Sequence, residues 1–198
     1  MILREALPWI FALSLTLFVS LIEKKPLISL LILSTIIFIS YFFRDPERTP
    51  EGEGYLAPAD GRVTKVDERR ISIFMGLRDV HVNRSPYDGV IKSVEKSKGS
   101  HFPAFLKNSD KNERNVIVME TKYGNLILTQ IVGFFARRIV CKVKKGDRVR
   151  RGERIGYICF GSRVDVIFPE GTKIYVREGD KVKAGETVVA VPLNEKSS

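Results

Sequence analysis

The stretch Val143-Lys144-Lys145-Gly146-Asp147-Arg148-Val149-Arg150-Arg151-Gly152-Glu153 recurs 33 residues later as Val176-Arg177-Glu178-Gly179-Asp180-Lys181-Val182-Lys183-Ala184-Gly185-Glu186. Val, Gly, Asp, Val, Gly and Glu coincide position for position. Each copy reads as a strand, a Gly-Asp turn that permits unusual backbone angles, a short strand and a second glycine turn. Two such copies suit two sheets folded over one another. Outward from the repeat, runs rich in Val, Ile, Phe and Tyr alternate with glycine-containing turns: Arg62 to Val66, Ile71 to Phe74, Gly89 to Val94, Val116 to Thr121, Leu126 to Val132, and Ile139 to Val143. This pattern predicts a mainly β domain over residues 55–198. Between these runs, Ser97 to Asn115 lacks periodicity and is rich in Lys, Ser and Asn, which predicts a mobile loop, near a substrate or simply exposed.

The first 43 residues have a different composition. Leu7 to Ile22 and Leu27 to Phe43 contain no charged side chain, and Glu23-Lys24-Lys25-Pro26 joins them. Runs of 16 and 17 residues sit at the lower edge of what crosses a bilayer as a helix. They predict a two-helix membrane hairpin over residues 1–43, in preference to a signal peptide, because no small-residue cleavage site follows Ile22 and a second apolar run follows at once; whether the hairpin spans fully or is re-entrant stays open. Residues 44–54, polar and broken by Pro and Gly, read as a linker. The net charge is +10, and residues 44–198 carry +9 of it, with 30 basic and 21 acidic side chains. A basic domain behind an apolar anchor suits an anionic lipid surface better than a nucleic acid. The charge also argues for the cytoplasmic side of the cell membrane, against the weaker pull of Lys24 and Lys25 in the hairpin loop. The two cysteines, Cys141 and Cys159, lie in apolar runs and read as core residues, and the two histidines make no metal-ligand spacing.

The repeat resembles the hammerhead strands of biotinyl and lipoyl carrier domains, which implies a barrel-sandwich fold. Carriers present a modified Lys between their halves, whereas the segment Ile155 to Val166 here has none, so the fold analogy does not bring the function with it. In its place stands Gly161-Ser162. Alone, a Gly-Ser pair is an ordinary turn, and it is not the Gly-x-Ser-x-Gly elbow of hydrolases.

Six blocks, in order, change that reading: Phe42-Phe43-Arg44-Asp45-Pro46-Glu47-Arg48, Ala57-Pro58-Ala59-Asp60-Gly61, Asp79-Val80-His81-Val82-Asn83-Arg84-Ser85-Pro86, Asn112-Glu113-Arg114, Ala136-Arg137-Arg138-Ile139 and Phe160-Gly161-Ser162-Arg163-Val164-Asp165. Together they resemble the short form of the phosphatidylserine decarboxylase proenzymes. The resemblance implies self-cleavage between Gly161 and Ser162 into residues 1–161 (a β chain) and 162–198 (an α chain), leaving Ser162 as a pyruvoyl group. It implies a phosphoserine-headed membrane lipid as substrate, phosphatidylserine or archaetidylserine, bound to that group as a Schiff base. It also implies association as dimers or larger units.

By the same resemblance Asp60, His81 and Ser162 form a relay. A histidine ionises near neutral pH and passes protons either way, with a carboxylate fixing its tautomer. Longer members carry a second histidine three residues after the first; here Arg84 stands there, so His81 does both tasks or an arginine has taken one over. His101 on the predicted loop either reaches the site or is a plain loop residue. Arg137 and Arg138 are candidate anchors for a lipid phosphate or a carboxylate, because guanidinium forks match oxyanions, or else a solvated pair. Two other classes compete: a membrane-anchored biotinyl-like adaptor, which predicts an uncut chain, and a membrane-anchored Ser-Lys protease, which predicts cleavage in trans.

Overall fold

The computed structural model describes residues 2–100, 102, 111–133, 138–159 and 161–193. The chain divides into two compact units, residues 1–47 and 48–198.

In the first unit the charge-free runs become helices α1 (Leu7–Ile22) and α2 (Pro26–Phe42), each with Pro in its first turn, where no backbone donor is lost. The hairpin turns at Lys24, which takes φ 53°. Ser14, Thr16, Ser34 and Thr35 donate their hydroxyls to carbonyls four residues back, so these polar groups are satisfied within their own helices. Ser20 Oγ and Ser29 Oγ meet at 2.8 Å between the helices. Trp9, Phe11, Leu27 and Leu31 stay exposed. With its preceding turn, the first helix (Arg4–Ile22) is long and apolar enough to cross a membrane, and Pro26–Phe42 is apolar but shorter.

The second unit is mainly β. Its largest sheet holds β2 (Gly61–Val66), β3 (Arg70–Met75), β5 (Gly89–Ser97), β6 (Arg114–Thr121), β7 (Gly124–Ile131), β9 (Arg148–Val149), β11 (Ser162–Ile167) and β13 (Lys181–Val182), in the order β13-β2-β3-β11-β7-β6-β5-β9. The short strands of the two repeat copies, β9 and β13, lie at its two edges. Two three-stranded sheets accompany it among the described residues. One is β4 (Val82–Arg84), β10 (Arg154–Ile158) and β8 (Ile139–Cys141), ordered β4-β10-β8; the other is β1 (Tyr55–Leu56), β14 (Val188–Pro192) and β12 (Thr172–Ile174), ordered β1-β14-β12. The strands before and after copy one, β8 and β10, pair with each other, as do β12 and β14 around copy two. The sequence repeat is thus a structural repeat.

One face of the large sheet is apolar, with Ile71, Ile73, Leu126, Leu128, Val164 and Val166 fully buried beside an aromatic cluster of Tyr55, Tyr87 and Phe168, the alternation expected of half-buried strands. The predicted runs fall inside β2, β3, β5 and β6, whereas the loop expected from Ser97 to Asn115 ends early because β6 begins at Arg114. Both cysteines are free and half-buried.

Candidate active site

Ser162 opens β11. On one side it pairs with Met75, the last residue of β3. On the other, Arg163 pairs with Ile131, so the register carries Ser162 beside Val132 at the end of β7. Ser162 is fully buried, and its Oγ has no hydrogen-bond partner among the described residues. A buried hydroxyl is normally paired, so this one is an exception that calls for a chemical reason. Gly161, just before it, takes φ +59°, and among the described residues beyond its chain neighbours nothing lies within 4 Å of the position a Cβ would occupy. That left-handed backbone is open to glycine without cost.

His81 reaches the same end of the domain by a short route. Beyond Met75, Gly76 N donates to Asp79 Oδ2 at 2.7 Å and Asp79 N donates to Gly76 O at 3.1 Å, closing a tight turn. Two residues later His81 Nδ1 lies 2.9 Å from the carbonyl oxygen of Asp79. A carbonyl only accepts, so Nδ1 carries the proton in this contact; in a neutral ring that leaves the lone pair on Nε2, the form of a general base. His81 is buried, and its own carbonyl accepts from Ile158 N at 3.3 Å. Ile158 ends β10, and only residues 159–161 separate it from Ser162. The chain therefore leads from Ser162's partner Met75 to His81, and from the residue bonded to His81 back to Ser162.

Asp60 is buried one step behind His81. Its Oδ1 accepts from Ala184 N at 2.8 Å, in the second turn of repeat copy two, and its Oδ2 accepts from Arg48 Nη2 at 2.8 Å. Burial pushes its carboxyl above the usual range, against the opposing pull of the Ala184 N–H, the Arg48 guanidinium and the N–H of Val80. Asp60 thus bonds the backbone next to His81, while the tautomer of His81 is set by the Asp79 carbonyl.

Arg84 is buried, and its Nη1 donates to Gly152 O at 3.0 Å in the second turn of copy one. Arg138 is exposed just before β8, and its charge pulls down the Cys159 thiol that burial otherwise raises. That places a cation by Cys159, two residues before Gly161. His101, Arg137 and Phe160 lie outside the described residues.

Several residues near this site carried no role in the sequence reading. Arg48 binds Asp60 and also Glu186 Oε2 at 2.8 Å. Asn83 accepts a 2.7 Å bond from Gln130, and Asn112 donates to the carbonyls of Phe102 and Val132. Their only sequence signal is that Arg48, Asn83 and Asn112 fall inside the motif blocks.

A family model described as phosphatidylserine decarboxylase matches residues 36–190. The chain is 46% identical to a protein of Syntrophus aciditrophicus named phosphatidylserine decarboxylase proenzyme, over 94% of this chain and 95% of the relative. It is 47% identical to a Methanococcoides burtonii protein named as an archaetidylserine decarboxylase proenzyme, over 80% of this chain and 77% of the relative. It is 46% identical to a Thermobifida fusca protein named phosphatidylserine decarboxylase proenzyme, over 75% and 71%. The extent of the family match, and a relative of almost the same span, show that this chain belongs to the phosphatidylserine decarboxylase family, a family of carboxy-lyase proenzymes.

Proposed function

We propose that the chain cuts itself between Gly161 and Ser162, converts Ser162 into a pyruvoyl group, and decarboxylates a phosphoserine-headed membrane lipid to the ethanolamine lipid. The observation that carries this reading is Ser162 Oγ, buried without a hydrogen-bond partner among the described residues, directly after a glycine at φ +59°. That arrangement fits the group: the hydroxyl is free to attack, and the carbonyl before it belongs to a residue with no side chain to shield it.

The chemistry balances with residues of this chain and water. Ser162 Oγ attacks the carbonyl carbon of Gly161, its proton passes to a base and from the base to the Ser162 nitrogen as the Gly161–Ser162 C–N bond breaks, so that an ester replaces the amide and the base is regenerated. The base then takes the Cα proton of Ser162, the Cβ–O bond breaks, and Gly161 leaves as a carboxylate. Water hydrolyses the dehydroalanine left at residue 162, releasing ammonia and giving a ketone. His81, with its lone pair on Nε2, is the base for these transfers, held by the Asp79 carbonyl. Asp60 supports that segment through its bond to Val80. When present, the pyruvoyl ketone supplies the electron sink that decarboxylation needs.

Arg138, with Arg137, supplies cations for the phosphate or carboxylate of the substrate. Arg84, with its guanidinium on Gly152 O, ties the repeat turns together, leaving His81 to serve both proton transfers. Residues 1–43 act as a membrane hairpin and 44–54 as a linker. Residues 55–198 act as a barrel-sandwich decarboxylase domain on the cytoplasmic side, cleaved into chains of residues 1–161 and 162–198. Relatives named for either lipid match at similar identity, so both substrates belong to the reading.

Intact-mass analysis of the purified protein, with Ser162→Ala beside it, tests the reading. Two fragments split at Gly161-Ser162, the smaller with a blocked amino end, are expected in the parent and a single chain in the variant. CO2 release from acyl and isoprenoid serine lipids then identifies the substrate. An uncut parent chain would sink the reading.

A further inference from the structure

His81 and Ser162 are carried by different sheets. His81 leads directly into β4 of a three-stranded sheet, and Ser162 opens β11 of the eight-stranded one. Their spacing therefore depends on what locks one sheet to the other. The buried face of the large sheet is apolar along most of its length, yet at the Ser162 end it carries two fully buried amides, Asn115 on β6 and Gln130 on β7, paired in register. A third, Asn83 on β4, is also fully buried.

The three amides form one chain of hydrogen bonds. Asn115 Nδ2 donates to Gln130 Oε1 at 2.8 Å, Gln130 Nε2 donates to Asn83 Oδ1 at 2.7 Å, and Asn83 Nδ2 approaches Met75 Sδ at 3.7 Å. Gln130 pairs with Val164 and Met75 pairs with Ser162, on the strands either side of β11. The Asn83 carboxamide is thus tied to both flanks of the strand that begins with Ser162. His81 is two residues before Asn83, so alternation along an extended chain turns the two side chains to the same side. Gly156, the β10 partner of Asn83, leaves room for this contact: a Cβ there would sit 3.3 Å from Gln130 Nε2 and 2.2 Å from Val140 O.

We propose that Asn83, Gln130 and Asn115 are positioning residues that set His81 against residue 162, both in self-cleavage and in the later decarboxylation. The inference rests on the function proposed above. Asn83 is the tie, Gln130 orients its carboxamide, and Asn115 orients Gln130. Buried amides polarise one another along such a chain, and each holds its neighbour in a single rotamer.

The test compares the full-length parent with Asn83→Ala, Gln130→Met and the double variant, in detergent, at a temperature where circular dichroism finds each one folded. Gln130→Met keeps the side chain's length while removing both polar atoms. Self-cleavage is followed by intact mass over time, and kcat and KM are measured on the cleaved fraction with dispersed serine lipid. Each single variant is expected to cleave at least about tenfold more slowly and to lose kcat with little change in KM, as misplacing a reacting group costs the chemical step. The double variant is expected to be no slower than the slower single one, because the residues act as a unit. Folded single variants that cleave at the parent rate, additive losses, or a loss confined to KM would overturn the inference while leaving the proposed function standing. An uncut parent would overturn both.

Discussion

Arg48 Nη2 donates to Asp60 Oδ2 at 2.8 Å while its Nη1 holds Glu186 Oε2 at the same distance, so one guanidinium joins the carboxylate behind His81 to the second turn of the second repeat. Both partners of the Arg48–Asp60 pair are nearly buried, at 11% and 10% side-chain exposure, which makes the pair costly to break from one side. Arg48→Met leaves Asp60 without its cation and is expected to lower stability by about 3 kcal/mol near neutral pH.

That loss has a pH signature. Burial already holds the Asp60 carboxyl above its ordinary 3.8. A carboxyl raised in the folded state contributes stability that is complete below the unfolded value and lost as pH rises through the folded one. Removing Arg48 raises it further and extends that loss to higher pH. Glu186 works in the opposite sense: Lys183 and then Arg48 hold it below its ordinary 4.5. Its contribution is present above that value and lost as pH falls through the lowered one, and without Arg48 part of it disappears. Both effects make the deficit of Arg48→Met smallest in acid. Thermal melts of variant and parent between about pH 3.5 and about pH 7 should diverge as pH rises; a constant gap would mean that Arg48 acts through packing alone.

His81 and Asp79 separate chemistry from support. His81→Ala removes the base of the proposed reaction and is expected to leave the chain uncut while it stays folded. Asp79→Ala keeps the backbone carbonyl that holds His81 Nδ1 but loses the Oδ2 acceptor of Gly76 N. Loss of one hydrogen bond to a charged acceptor costs about 1.5 kcal/mol, so this variant should be less stable and cleave slowly, with cleavage still going to completion. Time courses by intact mass distinguish the two.

The helices were legible because their boundaries are charges: the run from Leu7 to Ile22 is α1 residue for residue. The repeat was legible because glycine turns recur at fixed spacing, and it pairs as a repeat. Strand β4 was not, since Val82-Asn83-Arg84 puts two polar side chains inside the protein, and their partners, Gln130 and Gly152, lie 47 and 68 residues away. Asn115 reads as loop for the same reason, although it is buried in β6 against Gln130. At the candidate site, residue types and order pointed to Gly161, Ser162 and His81. That Asp60 would bind Arg48 and the Ala184 N–H, and that a backbone carbonyl would hold His81, depends on contacts between distant segments that no local pattern encodes.

Gly161→Ala and Ser162→Ala should fail differently. Among the described residues beyond its chain neighbours, nothing lies within 4 Å of the Cβ position of an alanine at 161; the difficulty there is φ +59°, a conformation that costs an L-residue roughly 1–2 kcal/mol. The variant is expected to fold and to cleave more slowly but measurably, whereas Ser162→Ala has no nucleophile and stays whole at any time. Equal and complete loss in both would mean that the Gly161 carbonyl must be strained in a way alanine cannot reproduce.

The amino-terminal helices and the basic domain predict two kinds of membrane attachment that respond differently to salt. Attraction between nine net positive charges on residues 44–198 and an anionic surface is screened within about 8 Å at physiological ionic strength and within about 3 Å in molar salt. Burial of Leu7–Ile22 and Pro26–Phe42 in hydrocarbon, as proposed for the hairpin, would be insensitive to salt, and the hydroxyls of Ser14, Thr16, Ser34 and Thr35, bonded within their own helices, would impose no unpaired polar group on the lipid. The full chain should therefore remain in the membrane pellet after washes in molar salt and in alkaline carbonate, and leave it only in detergent. Release by salt alone would assign attachment to the charge and exclude a hydrocarbon-buried hairpin. Replacing Ser20 with Leu, which removes the 2.8 Å bond to Ser29, should leave retention unchanged, because that bond joins helix to helix and its loss leaves the apolar outer surface of each helix as it was.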